Sequence, residues 1–431
     1  MGIDEIAFGD MKSHRFFYGW TIVAVSFITL GIAFGIWYSF SVFFVAIQKE
    51  FGSTRAATAG VFSVFMVVQS GAAILIGFLL DRFGPRKVLP IGSALIVIGL
   101  MASSRINSIW QLYLFYGVVT AVGICSIGYP SHSIFLPNWF VKKRGLAIGI
   151  AMAGIGIGMQ VLVPFAQHII SLYGWRVAYW VLAAIVLIMV IPLTAVFQRR
   201  NPREVGAFPD GEKGARNSTE TSRKDPSLTT SAELHSTQWT LRNTLRTRRF
   251  WFLFLTFFFT PLAIQGTLIH QVAHVVDKGF SAEKGALIFG LVGILGSVGK
   301  ILFGYLSDRI GRTKAFTIGM GCTFFGVINL MILQPAHLYP LYAYAIFFGL
   351  GYGSIAPIFP AHAADLFHGA HFGKIYGSLS MAGGIGGATG TWLSGKIFDL
   401  TSSYRIAFLI VLSSIILMVI LFRLTSPSRR R

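Results

Sequence analysis

Lys300 is the residue whose placement most demands a chemical reason. It stands in a run, Gly285 to Ser307, that carries no other charge. An ammonium deep in an apolar medium costs roughly 2.5–3.5 kcal/mol or more, and such a group faces a partner or a water-filled cavity. The next charge, Asp308, follows about two helical turns later, ~12 Å along the axis. No acidic residue falls inside any apolar span, so the missing counter-ion is a candidate bound anion. Nothing in this run by itself says which anion, and the other readings are snorkelling to the surface, which ~12 Å makes a stretch for this side chain, or bonding to a backbone carbonyl.

Histidine is the side chain best suited to carry a proton near neutrality. IHQVAHVVDKG sets His270 and His274 one helical turn apart on one face, which makes both candidates for proton coupling and His270 a candidate for substrate contact. Trp37, Tyr38, Tyr116 and Tyr352 lie within apolar spans. A tyrosine hydroxyl can bond a carboxylate while its ring meets an alkyl tail, although interfacial belts also collect these residues. His132 and His362 fall near span ends, where packing at headgroup level is expected.

The elements that must position these groups are written in the composition. Of 431 residues, 54% are hydrophobic and 12% charged, about half the charged share of a soluble domain. Apolar stretches of about 20 residues, enough to cross a bilayer, recur throughout. They predict twelve helices, near 18–47, 58–80, 88–103, 110–136, 145–170, 176–197, 250–276, 284–306, 314–333, 338–364, 374–397 and 404–423. The net charge of +20 invites a nucleic-acid reading, but its distribution opposes it. Lys49, Arg55, Arg105, Arg176, Lys278, Lys284, Lys396 and Arg405 fall on one side, and nearly all other basic residues fall with the termini on the other. That asymmetry marks the cytoplasmic side. The expectation is a multi-pass protein of the bacterial cytoplasmic membrane, both termini inside. Two cysteines, Cys125 and Cys322, show no metal or disulfide spacing, no cofactor is implied, and no removable signal peptide is expected.

The chain repeats itself. GFLLDRFGPRK (Gly77 to Lys87) returns as GYLSDRIGRTK (Gly304 to Lys314), and Pro130 and His132 answer to Pro360 and His362. Matching halves are the mark of a transporter built from two bundles. They divide the chain into residues 1–197, a polar segment 198–248 and residues 249–431. Residues near 210–236 are expected to be disordered, and those near 238–249 to form a basic helix on the anionic leaflet.

The repeated motif resembles that of the major facilitator superfamily, in which it follows the second and eighth spans. Asp81, Arg82 and Arg86 form one copy, with Pro85 at a position where the pattern has arginine; Asp308, Arg309 and Arg312 form the other. A carboxylate at a helix end with cations beside it can hold a gate through charge-assisted bonds; plain anchoring on the cytoplasmic side is the blander reading. The segments YGWTIVAVSFITLGIAFGIWYSFSVFFVAIQKEFG, NWFVKKRGLAIGIAMAGIGIG, NPREVGAFPDG, TLRNTLRTRRFWFL and GKIFDLTSSY look like the monocarboxylate porter branch, which includes bacterial oxalate–formate antiporters and animal monocarboxylate transporters. The resemblance implies an all-α membrane protein of twelve transmembrane helices in two pseudo-symmetric six-helix bundles. It also implies that spans one, four, seven and ten line a central cavity, and that the position of Lys300 holds the substrate carboxylate. Where the antiporter type has a second cation in span eleven, Gly383 stands here. Where the animal transporters have an aspartate one turn before the basic residue, Gly296 stands here. One cation suits one carboxylate. Gly145, Gly149, Gly154 and Gly158, with Gly383, Gly387 and neighbours, lie at spacings that let helices approach closely. GILGSVGKI lacks the spacing of a nucleotide loop.

The sequence thus predicts a monomeric, non-enzymatic secondary transporter of small carboxylates that rocks between two states. Proton-coupled symport of a lactate-like acid comes first and anion exchange of the oxalate–formate type second. Efflux of larger amphipathic compounds and a non-transporting sensor remain as rivals.

Overall fold

The computed structural model describes residues 17–140, 144–211, 239–367 and 372–425. Two of its tightest junctions are the repeated motif itself. Gly84 and Gly311 each form the entire link between antiparallel helices, at φ 76° and 90°. A Cβ at either would meet nothing within 4 Å, so the backbone conformation, which side chains disfavour, is what requires glycine. The helices are α1 (Tyr18–Phe51), α2 (Arg55–Phe83), α3 (Pro85–Ser103), α4 (Ile109–Asn138), α5 (Arg144–Tyr173), α6 (Trp175–Phe197), α7 (Arg248–Asp277), α8 (Ala282–Ile310), α9 (Arg312–Met331), α10 (Tyr339–Leu366), α11 (Phe372–Thr401) and α12 (Arg405–Thr425). Eleven of them are long and apolar enough to cross a membrane on composition alone; α11, diluted by glycine, is the twelfth. Several begin earlier than the hydropathy pattern predicts, at side-chain caps that hydropathy does not register. Thr54, Thr247 and Ser281 accept from the amides of Ala57, Phe250 and Lys284.

The chain is an all-α membrane protein in which α1–α6 and α7–α12 form two pseudo-symmetric bundles. Very close glycine crossings bind each bundle, the closest being α5 on α1 and α11 on α7. A Cβ at Gly154 or Gly158 of α5 would lie 2.2 or 1.9 Å from the carbonyl oxygens of Phe27 and Gly31 on α1. In the second bundle, a Cβ at Gly386 or Gly390 of α11 would lie 1.9 or 2.1 Å from those of Phe258 and Leu262 on α7. Backbones that near exclude any side chain. The expected stripe is thus corrected in register: Gly386 and Gly390 make the crossing, whereas Gly383 is looser and Gly387 faces Met66 of α2. Gly149 meets nothing, and the side chain position of Gly145 lies outside the described residues.

Spans α4, α7 and α10 are not continuous. The break at Gly128 precedes Pro130, and the one at Ser354 precedes Pro357, whose missing amide leaves the Gly353 carbonyl without its helical donor. The α7 break, at Ile269 and His270, has no proline beside it. The segment expected to be a basic helix contains a short helix, Leu241–Leu245, capped by Thr240. Most of the stretch expected to be disordered lies outside the described residues.

The face from which α1 starts and at which α12 ends is called the near face here, the opposite one the far face. The bundles meet along two seams, α2 on α11 and α5 on α8. Both are closed from the far face to mid-depth: Ser63 Oγ donates to the Ala388 carbonyl at 2.7 Å, and Ser171 bonds Glu283. Towards the near face both part. Gly71 and Gly77 of α2, Gly149 of α5, and Gly373 and Gly377 of α11 have no neighbour within 4 Å of a Cβ.

Candidate functional site

Lys300 lies on α8 at helical spacing from Gly293, Gly296 and Ser297, so the four share a face. That face packs on Met159 and Gly156 of α5 and on Tyr352 of α10. Ile294, Val298, Ile301 and Tyr305, all exposed, cover the opposite face. Lys300 is therefore directed between the bundles and away from the outer apolar surface. It is half-buried and has neither hydrogen bond nor ion pair with any described residue. One turn before it, Ser297 Oγ is buried and likewise unpartnered.

Above Lys300 on the far side the bundles are joined by tyrosines. Tyr38 of α1 and Tyr352 of α10 bring their hydroxyls to 2.9 Å, and the Tyr352 ring lies where a Cβ at Gly296 would be 3.1 Å from it. Tyr38, Tyr352 and Lys300 are thus brought to one region. Trp37 leans the other way, stacked on Phe34 at 5.2 Å and edge-on to Phe62 and Phe65, with its Nε1 buried and unbonded. Tyr116 stands apart. It is wholly enclosed in the first bundle among Phe40, Phe65 and Tyr179, and its hydroxyl donates to the Ile36 carbonyl at 3.3 Å. It lies in the π-helical turn Phe115–Thr120.

The histidines belong to another place. His270 Nδ1 is 2.9 Å from the Tyr404 hydroxyl and Nε2 is 2.8 Å from the Thr391 carbonyl, close to the far-face closure. His274 Nε2 meets the Leu330 carbonyl at 3.0 Å, on the wall of a cavity of about 350 Å³ that Lys278 and Arg405 also line. His132 and His362 are buried within helix packing and bond Gly128 and Thr425.

The far-face closure is built by residues the sequence reading did not single out. Arg55 opens α2 and crosses to the second bundle. Its Nη1 and Nη2 donate to Asp277 at 2.6 Å each, and Nη1 also donates to the Tyr404 hydroxyl at 2.7 Å. The guanidinium lies 3.6 Å over the Phe398 ring. Asp399 accepts the backbone amides of Arg55 and Ala56, both at 2.7 Å, and so caps α2 from the opposite bundle. The available signal was acidic residues at the ends of two spans, Asp277 and Asp399, facing a basic residue at the start of a third.

At the near face the repeated motif acts within each bundle. Asp81 pairs with Arg200 at 3.2 Å, and Arg86 Nε donates to the Ala195 carbonyl. Arg312 bonds Asp308 and Ser307 and reaches Asp365 at 3.3 Å. Arg82 and Arg309 lie over Phe83 and Tyr305. None of these contacts spans the two bundles.

A family model described as Major Facilitator Superfamily matches residues 25–353. Monocarboxylate transporter 2 of Mesocricetus auratus is 25% identical over 439 residues, covering 96% of this chain and 87% of its own. Monocarboxylate transporter 13 of Bos taurus is 28% identical, covering 91% and 86%. Among solved structures, a mutant of the nucleoside transporter NupG superposes with a TM-score of 0.70 at 13% identity, over 95% of this chain and 100% of that one. A bacterial homologue of the human lysosomal transporter Spinster, inward-facing and unoccupied, gives 0.66 at 16% identity over 95% of each.

Proposed function

This chain belongs to the Major Facilitator Superfamily and groups with its monocarboxylate porter branch, and from that premise we propose that it is a symporter of small monocarboxylates and protons in a bacterial cytoplasmic membrane. The substrate class is that of lactate-like 2-hydroxy and 2-oxo acids. The observation that carries the reading is Lys300: a half-buried ammonium, directed between the bundles, with no anion among the described residues to neutralise it. A carboxylate guest supplies that charge, and the Tyr38 and Tyr352 hydroxyls supply hydrogen bonds above it. One cation matches one carboxylate; a second negative charge would enter without a partner and carry its desolvation cost. The ammonium is a point charge without the two-pronged geometry of arginine, which suits a range of short acids.

Proton coupling follows from the same nitrogen. A carboxylate binds the protonated lysine and not the neutral amine, so anion and proton raise each other's affinity. If the empty carrier returns with a neutral amine, the linkage becomes symport. If the amine keeps its proton and the empty carrier cannot close, the same site performs anion exchange, the second reading. The near face is assigned to the cytoplasm, where basic residues collect. An opening at that face and a seal at the far face make this the inward-open member of an alternating pair.

Uptake of labelled lactate into proteoliposomes, with the outside made acid, tests the proposal. The parent is expected to accumulate lactate and to lose accumulation when the gradient is collapsed. Lys300→Ala is expected to fall by tenfold or more, and Lys300→Arg to retain part of the activity. Equal uptake by Lys300→Ala and the parent would remove the residue assignment.

A further inference from the structure

Arg55 comes from the first bundle, and the side chains that receive it, Asp277, Asp399, Phe398 and Tyr404, all come from the second. Behind Tyr404, His270 is fully buried and uses both ring nitrogens. The Thr391 carbonyl only accepts, so Nε2 carries the hydrogen. The guanidinium only donates, so the Tyr404 oxygen accepts from Arg55 and its own hydrogen goes to His270 Nδ1. The chain of hydrogen bonds runs from Arg55 through Tyr404 and His270 to the Thr391 carbonyl, and it requires a neutral imidazole.

An imidazolium does not fit this arrangement. With a hydrogen on Nδ1, Arg55 and His270 would both donate to one phenolic oxygen. The phenolic hydrogen would lose its acceptor, and two cations would flank one enclosed hydroxyl. We propose that the Arg55 latch and a proton on His270 exclude each other, so that acid at the far face opens the far gate. When α2 withdraws Arg55, Tyr404 can turn its hydrogen away and accept from Nδ1–H. Asp277 and Asp399, released from Arg55 and from the α2 amides, then balance the imidazolium. The charged and titratable groups around His270 are Arg55 from α2, Asp399 from α11, Tyr404 ahead of α12, and His274, Asp277 and Lys278 along and after α7; α1 presents the Phe44 ring. The proton comes from far-side water and no covalent step is involved. The latch decides when the far face opens, whereas Lys300 is proposed to hold the cargo; the inference rests on the transport reading only for the alternation between two states.

The test uses the full chain in lipid vesicles without substrate. Spin labels are placed at Lys49→Cys and Leu400→Cys, exposed positions on opposite bundles beside the latch, with Cys125 and Cys322 replaced by serine. Double electron–electron resonance between about pH 5.5 and 8 brackets histidine titration. The parent is expected to shift from a short to a long distance as pH falls, by at most on the order of tenfold in population ratio per pH unit for one proton. Arg55→Gln should show the long distance at every pH, and Arg55→Lys should restore part of the short one. His270→Gln should stay short and lose the pH response, with Tyr404→Phe, expected to flatten the response, as the second variant if His270→Gln does not fold. His274→Gln should respond as the parent does. A pH-independent parent, a His270→Gln protein that responds like the parent, or loss of the response in His274→Gln instead would overturn the latch. Failed lactate uptake with an intact pH shift would strike the transport reading alone, and the reverse result the latch alone.

Discussion

Single residues separate into groups that looked like one list in the sequence. Lys300, Tyr38 and Tyr352 come together, while Tyr116 is enclosed in the first bundle and His270 serves the far closure. The Tyr38–Tyr352 contact joins the two bundles directly above the proposed cargo position, so one hydroxyl there serves both the seam and the guest. Removing it with Tyr352→Phe is expected to cost about 1–1.5 kcal/mol, one hydrogen bond, and to raise the apparent KM for lactate five- to tenfold in the vesicle assay. An unchanged KM would remove Tyr352 from the proposed site. The lysine was legible because an uncompensated charge in an apolar run is improbable by chance. The place of Tyr116 was not, because a π-helical turn shifts the register and hydropathy carries no trace of it.

At the scale of elements, length and apolarity mark eleven of the spans, α11 being diluted by glycine, and the repeat foretold the pairing of halves. Gly154 and Gly158 of α5 were foretold, but which glycines of α11 make its crossing was not, since Gly383 and Gly387 have the same spacing as Gly386 and Gly390. Spacing names a face of the helix; only the rotation of α11 against α7 says which face meets the neighbour. The distinction has a measurable consequence. Gly158→Val places methyl groups where the Gly31 carbonyl already stands and should destabilise the protein by several kcal/mol, seen as loss of folded material or a lowered Tm in detergent. Gly149→Ala, at an open position, should keep the parent Tm.

At the scale of the whole molecule the two seams are closed on one side only. The second seam ends in a bond between Ser171 and Glu283, far from the Arg55 latch on the first. A disulfide joining Ser171→Cys to Glu283→Cys, in a chain with Cys125 and Cys322 replaced by serine, is expected to form readily without substrate. It should stop lactate uptake, and a reductant should restore it. Persistent uptake by the cross-linked protein would show that the far face need not open there. The repeat made two matching halves legible. Which side stands open was not, because the sequence is the same in both states and the choice rests on residues far apart in the chain, Arg55 with Asp277 and Asp399.

The solitary charge of Lys300 also fixes how a membrane potential would act on the proposed cycle. Ammonium with a bound monocarboxylate is neutral in sum, and so is the bare amine. Both cross without electrical work. Only an empty, protonated site would move net charge through the field, and it would feel up to about 2.3 kcal/mol per 100 mV. Voltage then touches the one form that accomplishes nothing, and accumulation is set by the difference in acidity across the membrane.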